Sequence, residues 1–191
     1  MPGLRIAPST LVLLDRLVLL FLAAILSAVL TAAMVMQFAF GEIPCPLCLL
    51  QRVAMFGCCF GLLRQLRAHD SERGGGIALL FALLLMVVAA RQSLLDLVPR
   101  PGHAYIGTAV FGVHMPVWSV LIGVALLLAL SLRLTLFGGQ RLSPQAGPPP
   151  LVRATRLLEV YVVLICAINL AAVVLQCGLG ACHTSGYRLL R

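Results

Sequence analysis

The chain has 191 residues, 61% of them apolar and only 10% charged, with a formal net charge of +8. So apolar a composition excludes an ordinary water-soluble domain and points to a helical membrane protein. The charge does not signal nucleic-acid binding, because every basic residue is an arginine and most lie in short connections between apolar stretches.

Spanning a bilayer takes about 20 apolar residues at the helical rise, and five stretches qualify: 17–39, 47–66, 77–97, 117–137 and 156–176. The first is longer than the about 7–15 residues of a signal-peptide core and lacks a small-residue cleavage site before Phe38, so a retained helix is expected. Its Ala23, Ala24, Ser27, Ala28 and Ala32 recur at near-helical spacing, which predicts close packing in a bundle. The second opens at Pro44-Cys45-Pro46-Leu47-Cys48-Leu49-Leu50-Gln51-Arg52 and carries Cys58 and Cys59 at mid-depth. A short polar connection, 68–76, leads to the third, which ends in Arg91-Gln92-Ser93-Leu94-Leu95-Asp96. Loop 98–116 is rich in proline and glycine and runs into Trp118, placed as an interfacial anchor. The connection 138–155, with Gly138-Gly139 and Pro148-Pro149-Pro150, is expected as a flexible linker. The fifth stretch holds Cys166 and is followed by Cys177 and Cys182. Cys58, Cys59 and Cys166 are expected as packing residues, since free cysteine behaves as a small hydrophobe.

Arginine placement predicts the topology. Arg5, Arg16, Arg64, Arg67, Arg73, Arg133, Arg141, Arg153 and Arg156 fall on one side, against Arg91, Arg100, Arg188 and Arg191 on the other. The positive-inside rule then puts the N-terminus in the cytoplasm and, after five spans, the C-terminus outside. Cys45, Cys48, Cys177 and Cys182 all fall on the extracytoplasmic face, where disulfides form and persist.

Two intervening residues let the sulfurs of a C-x-x-C pair approach bonding distance. Pro46 suits a first helical turn, which places Cys48 near a helix N-terminus that favours thiolate. Arg52 lies four residues further on the same face. An arginine within a span costs about 2.5–3.5 kcal/mol at mid-bilayer and usually has a function. Arg52 is a candidate to steady a cysteine thiolate or to bond the carbonyl oxygen of a quinone; the plainer reading is an interfacial anchor that snorkels. In Gln176-Cys177-Gly178-Leu179-Gly180-Ala181-Cys182, two glycines permit a tight loop, so a disulfide is feasible there. That pair reads either as a staple on the fifth helix or as a second redox pair exchanging with the first.

The segment Cys45-Pro46-Leu47-Cys48-x-x-Gln51-Arg52, opening a second span, resembles the disulfide bond formation protein B (DsbB) family, as does Gly112-x-x-Met115-Pro116-x-Trp118 at the fourth. The resemblance covers the first four spans. It implies a four-helix core over 1–137, to which this chain adds a cytoplasmic linker over 138–155 and a fifth transmembrane helix with an extracytoplasmic tail over 156–191, so an all-α, polytopic membrane helical bundle is expected. It further implies an inner-membrane protein-dithiol:quinone oxidoreductase that re-oxidises a periplasmic DsbA-like thioredoxin-fold oxidase and delivers electrons to ubiquinone or menaquinone in the bilayer's quinone pool. By position, Cys45 and Cys48 become the quinone-proximal pair, Arg52 the quinone-contacting arginine, and Gln92 a further quinone-site residue. The family's usual second cysteine pair belongs in the loop between the third and fourth spans, and 98–116 has no cysteine. Cys177 and Cys182 are therefore expected to take the partner-facing role.

Three other readings stand beside this one. The four outer cysteines, with His183 as a substitute, could ligate one zinc ion. The chain could be a non-catalytic scaffold stapled by two disulfides, or resemble the vitamin K epoxide reductase group, whose membrane C-x-x-C usually lies elsewhere in its bundle. Haem is not expected, because His69, His103, His114 and His183 all lie outside mid-membrane.

Overall fold

The structure is a computed structural model that describes residues 8–67, 72–97, 109–137, 148–178 and 182. Among the described residues, five helices form a bundle: α1 (Pro8–Ala39), α2 (Pro46–Arg67), α3 (Arg73–Leu97), α4 (Met115–Phe137) and α5 (Pro149–Cys177). Each is long and apolar enough to cross a membrane. Prolines open α2 and α5, where a missing N–H costs no helical hydrogen bond. α5 stops at Gly178, whose φ of 60° turns the chain while its N–H still bonds the Val174 carbonyl at 2.8 Å.

All five expected spans coincide with helices, and each helix starts early, by one residue at α2 and by as many as nine at α1. α1 begins at Pro8. α5 begins at Pro149, so residues 149–155 of the expected linker are helical, with Pro149 and Pro150 serving as its first turn. Residues 138–147 of that linker lie outside the described residues, as do His69, His103 and His183. A short antiparallel hairpin, β1 (Ala109–Val110) with β2 (Val113–His114), precedes α4 where an irregular loop was expected. Its turn residues, Phe111 (φ 52°) and Gly112 (φ 76°), both occupy the left-handed region that two-residue hairpins need.

α2 is the hub, packed on α1, α3 and α5, while α4 rests on α3. The α2–α3 contact is the closest. A methyl group added at Gly61 would meet the Ala78 backbone nitrogen at 2.5 Å, and one at Gly74 would meet that of Gln65 at 2.5 Å. Such backbone approach maximises dispersion contact, the main adhesive between helices that lipid already solvates. The core runs through Leu19, Leu26, Leu30, Leu62 and Leu85, with Cys58 and Cys59 fully buried as expected.

Two expectations about helix faces fail. Cys166 points out of the bundle, and of the small-residue stripe on α1 only Ala23 and Ser27 are buried, whereas Ala24, Ala28 and Ala32 are exposed. A helix apolar on every side carries no pattern saying which face meets protein and which meets lipid.

The bundle end remote from Cys45 holds a buried ion pair that the charge count did not reveal. Arg133, read as a flanking topology signal, is 2% exposed and donates from Nε and Nη2 to Asp15 of α1 at 2.6 and 3.1 Å. Its Nη1 reaches Glu72 at 3.0 Å.

Candidate functional site

Cys45 immediately precedes α2 and acts as its cap. Its carbonyl accepts the first helical bond, from Leu49 N–H at 3.0 Å, and its sulfur accepts the Cys48 N–H at 3.1 Å. The side-chain bond fills an orphan donor of the first turn, as oxygen caps do elsewhere. Both sulfurs are thereby held at the helix N-terminus as free thiols. Cys45 is buried and Cys48 is partly exposed. The Cys45 thiol is pushed above the ordinary range, first by its hydrogen bond with Cys48 and then by burial.

Gln92 of α3 spans the pair. Its amide nitrogen lies 3.5 Å from the Cys45 sulfur and 3.5 Å from the Cys48 sulfur. Its oxygen accepts from Gln51 Nε2 at 2.9 Å, and Gln51 Oε1 in turn accepts from Ser119 of α4 at 2.8 Å. This chain of amides, buried throughout, fixes Gln92 so that its donors face sulfur.

Arg52 sits one turn deeper than Cys48 and is 8% exposed. Nη1 donates to Gln37 Oε1 at 2.5 Å and to Asn169 Oδ1 at 3.3 Å, with the Met34 sulfur at 3.4 Å, while Nη2 donates to the Ala33 carbonyl at 3.0 Å. α1 and α5 therefore grip the guanidinium from two sides. The plain interfacial anchor is not what this side chain is, since its head is folded into the bundle.

A cavity of about 490 Å³ opens between α1, α2, α4 and the hairpin. Cys48, Gln51 and Arg52 form its polar wall, and Val29, Met36, Met55 and Ile122 are among its apolar residues. Trp118, expected as an interfacial anchor, lines it as well, and Phe111 at the hairpin tip reaches it while 93% exposed. Glu42 is its acidic contributor. Such a mixture, mostly apolar with a few convergent polar groups, is typical of small-molecule sites. Cys45 and Gln92 do not line it, so the two cysteines differ: Cys48 faces the cavity and Cys45 lies behind it.

The second cysteine pair is a disulfide, Cys177–Cys182, at the end of α5. It adjoins the first pair through Gln176, which is 1% exposed and donates to the Pro44 carbonyl at 2.9 Å, one residue before Cys45. Neither bonded sulfur is a thiolate, and among the described residues no group of three or more Cys, His, Asp and Glu is placed to hold a metal ion.

All six residues singled out from sequence thus lie at one end of the bundle. Gln92 differs in detail, because it contacts the sulfurs rather than the cavity where a quinone was expected. Gln37, Ser119, Asn169 and Gln176 escaped the sequence reading. The available signal was a polar residue inside an apolar span, which is costly and so rarely idle.

The family model for disulfide bond formation protein DsbB matches residues 15–104. Disulfide bond formation protein B of Nitrosomonas europaea is 33% identical over 89 residues, covering 44% of this chain and 54% of that protein. The chain therefore spans about half the length of this curated relative. No solved structure matches. The matched stretch holds Cys45, Cys48, Arg52 and Gln92 and ends before the Gly112 to Trp118 motif, so it is narrower than four spans.

Proposed function

We propose, from the match of residues 15–104 to the DsbB family model and the site geometry, that the chain is a DsbB-like protein-dithiol:quinone oxidoreductase of the bacterial inner membrane. Its N-terminus lies in the cytoplasm, and both cysteine pairs face the periplasm. The observation that carries the proposal is the cavity of about 490 Å³ in whose wall Cys48 and Arg52 stand together. Its residues fit a quinone: apolar walls suit a flat ring and isoprenoid tail, and a guanidinium suits a carbonyl oxygen. Bound there, ubiquinone or menaquinone would supply a two-electron, two-proton acceptor that departs as quinol.

The protein residues divide the work. A thiolate of a reduced DsbA-like partner attacks the Cys177–Cys182 disulfide, breaking its S–S bond and forming a mixed disulfide. The partner's second thiol resolves it, so the partner leaves oxidised and Cys177 and Cys182 become thiols. One of these attacks the Cys45–Cys48 disulfide; Cys177–Cys182 re-forms, and the electron pair now resides on Cys45 and Cys48 as two thiols. Cys48 is the sulfur on the cavity side, so it is the one that would give up the electron pair, the two thiol protons leaving as the Cys45–Cys48 bond re-forms. Gln92 donates to both sulfurs and holds them in register, and Arg52 stabilises negative charge growing at the cavity wall. Each exchange is a two-electron step, in which about 30 mV is worth about 1.4 kcal/mol.

A second reading of the C-terminal pair has its own support. Cys177 is 5% exposed and its neighbour Gln176 is fixed to Pro44, as a structural staple would be. Quinone reduction by purified protein, driven by a reduced DsbA-type oxidase, separates the two. A relay requires that Cys177→Ser/Cys182→Ser accepts electrons only from small dithiols; normal turnover by that variant makes the pair a staple. If wild type reduces no quinone with any donor, the oxidoreductase proposal fails.

A further inference from the structure

At the bundle end remote from the cysteines, three arginines from three helices converge. Arg16 of α1, Arg67 of α2 and Arg156 of α5 line a cavity of about 520 Å³, together with Leu66, Leu151 and Thr155. Among the described residues lining it, none is acidic. Arg16 is 7% exposed although it lies in an apolar helix. Arg67 also borders a second cavity, of about 660 Å³, that continues along the crevice between α2 and α5 past Phe60, Leu63, Val163 and Cys166. Glu159 lines the second cavity and is paired with Arg67, and the described linings of the two cavities hold four arginines against that one carboxylate.

A crevice with a cationic head and an apolar trough matches one kind of ligand by charge and by polarity. From Arg156 to Cys166 is ten residues, about 15 Å of helix, which is half of the about 30 Å hydrocarbon thickness and so the depth of one leaflet. Guanidinium forks suit phosphate oxygens, and basic pockets between transmembrane helices hold anionic headgroups in this way. We propose that the α2–α5 crevice binds an anionic diacyl phospholipid, its phosphate on Arg16, Arg67 and Arg156 and an acyl chain along Phe60 and Val163. The outward-facing Cys166 is then a lipid-contacting residue. The site is independent of the redox chemistry, and it is a place where a bilayer lipid bridges α5 to the family-like part of the chain.

Native mass spectrometry of the detergent-purified full chain tests this, with phosphatidylglycerol, phosphatidylcholine and inorganic phosphate as probes. Arg156 and Val163 are exposed on α5, so substitution there spares the core. Wild type should retain phosphatidylglycerol over phosphatidylcholine, and Arg156→Gln should lower that retention about five-fold, the effect of one basic residue beside an anionic lipid. Arg156→Lys, which keeps charge but not the fork, should fall between. Val163→Trp, filling the trough, should lower retention of phosphatidylglycerol with the arginines intact. Arg153→Gln, on α5 but lining neither cavity, should behave as wild type. Equal retention of the two lipids, wild-type retention by Arg156→Gln, or displacement of phosphatidylglycerol by equimolar inorganic phosphate would each overturn the proposal, the last by reducing it to a free-anion site.

Discussion

Arg52 and Arg133 are buried toward opposite ends of this bundle, and the contacts described for them differ in kind. Arg133 is clamped by carboxylates, with Asp15 taking two of its nitrogens and Glu72 a third. The bonds described for Arg52 go to neutral acceptors: two side-chain amides, a backbone carbonyl and a thioether. A carboxylate cancels most of the field of its partner, whereas an amide or carbonyl acceptor chiefly fixes where a guanidinium points. The first arrangement ties α1 to α4 through a buried ion pair; the second orients a guanidinium at a cavity wall, where the proposed reaction would use it. Burial alone therefore does not separate the two arginines, and the acceptors described for each do.

That contrast can be broken by substitution. The largest effect expected is at sulfur. Cys48→Ser should abolish quinone reduction in a steady-state assay while leaving the thermal unfolding midpoint near wild type, because the change is nearly isosteric. Next, Arg133→Leu should leave Asp15 buried without its partner and cost about 3–5 kcal/mol, read as a large drop in the midpoint in detergent. The same substitution at the other end, Arg52→Leu, should lower the quinone-reduction rate about 100-fold, the scale of losing one preorganised charge-stabilising donor, with a smaller loss of stability. Equal stability losses at the two sites would remove the distinction. Asn169→Leu should cost about 1 kcal/mol, one neutral acceptor's worth of hydrogen bonding, and show up as a raised KM for quinone while the midpoint moves by only a few degrees. The smallest effect concerns proton affinity. Because the folded environment favours the neutral Cys45 thiol, reduced Cys45 should alkylate slowly with iodoacetamide around pH 9, where an ordinary thiol is half ionised. Peptide mapping of the labelled protein reads this directly.

The depth of each residue was legible in the sequence, and its azimuth was not. Counting residues along an apolar stretch places Cys45, Cys48 and Cys177 at one end and Arg133 at the other, because helical rise is constant. Helix rotation is encoded by an amphipathic pattern, and spans that are apolar all round lack one. Hence Cys166 and Ala28 were expected inside and lie outside, while Gln37, Asn169 and Ser119 passed unremarked although each faces the site. Gln92 was found through resemblance rather than geometry, and its contact with sulfur depends on α3 packing on α2, which no local signal states. The hairpin was missed because its turn is Phe111-Gly112, and phenylalanine seldom accepts a positive φ.

The α5 contacts also set a clock on the making of this site. Asn169 meets Arg52 across 117 residues of chain, and Gln176 meets Pro44 across 132. At about 5–20 residues per second of translation, the helix bearing Cys48 waits roughly 6–25 s before the last two side chains that brace it have been made. The α2–α3 hairpin, separated by only a short connection, needs no such wait and can associate as it enters the bilayer. The nascent protein thus acquires its close-packed pair early and the full set of side chains around Cys48 and Arg52 last, when the fifth helix arrives.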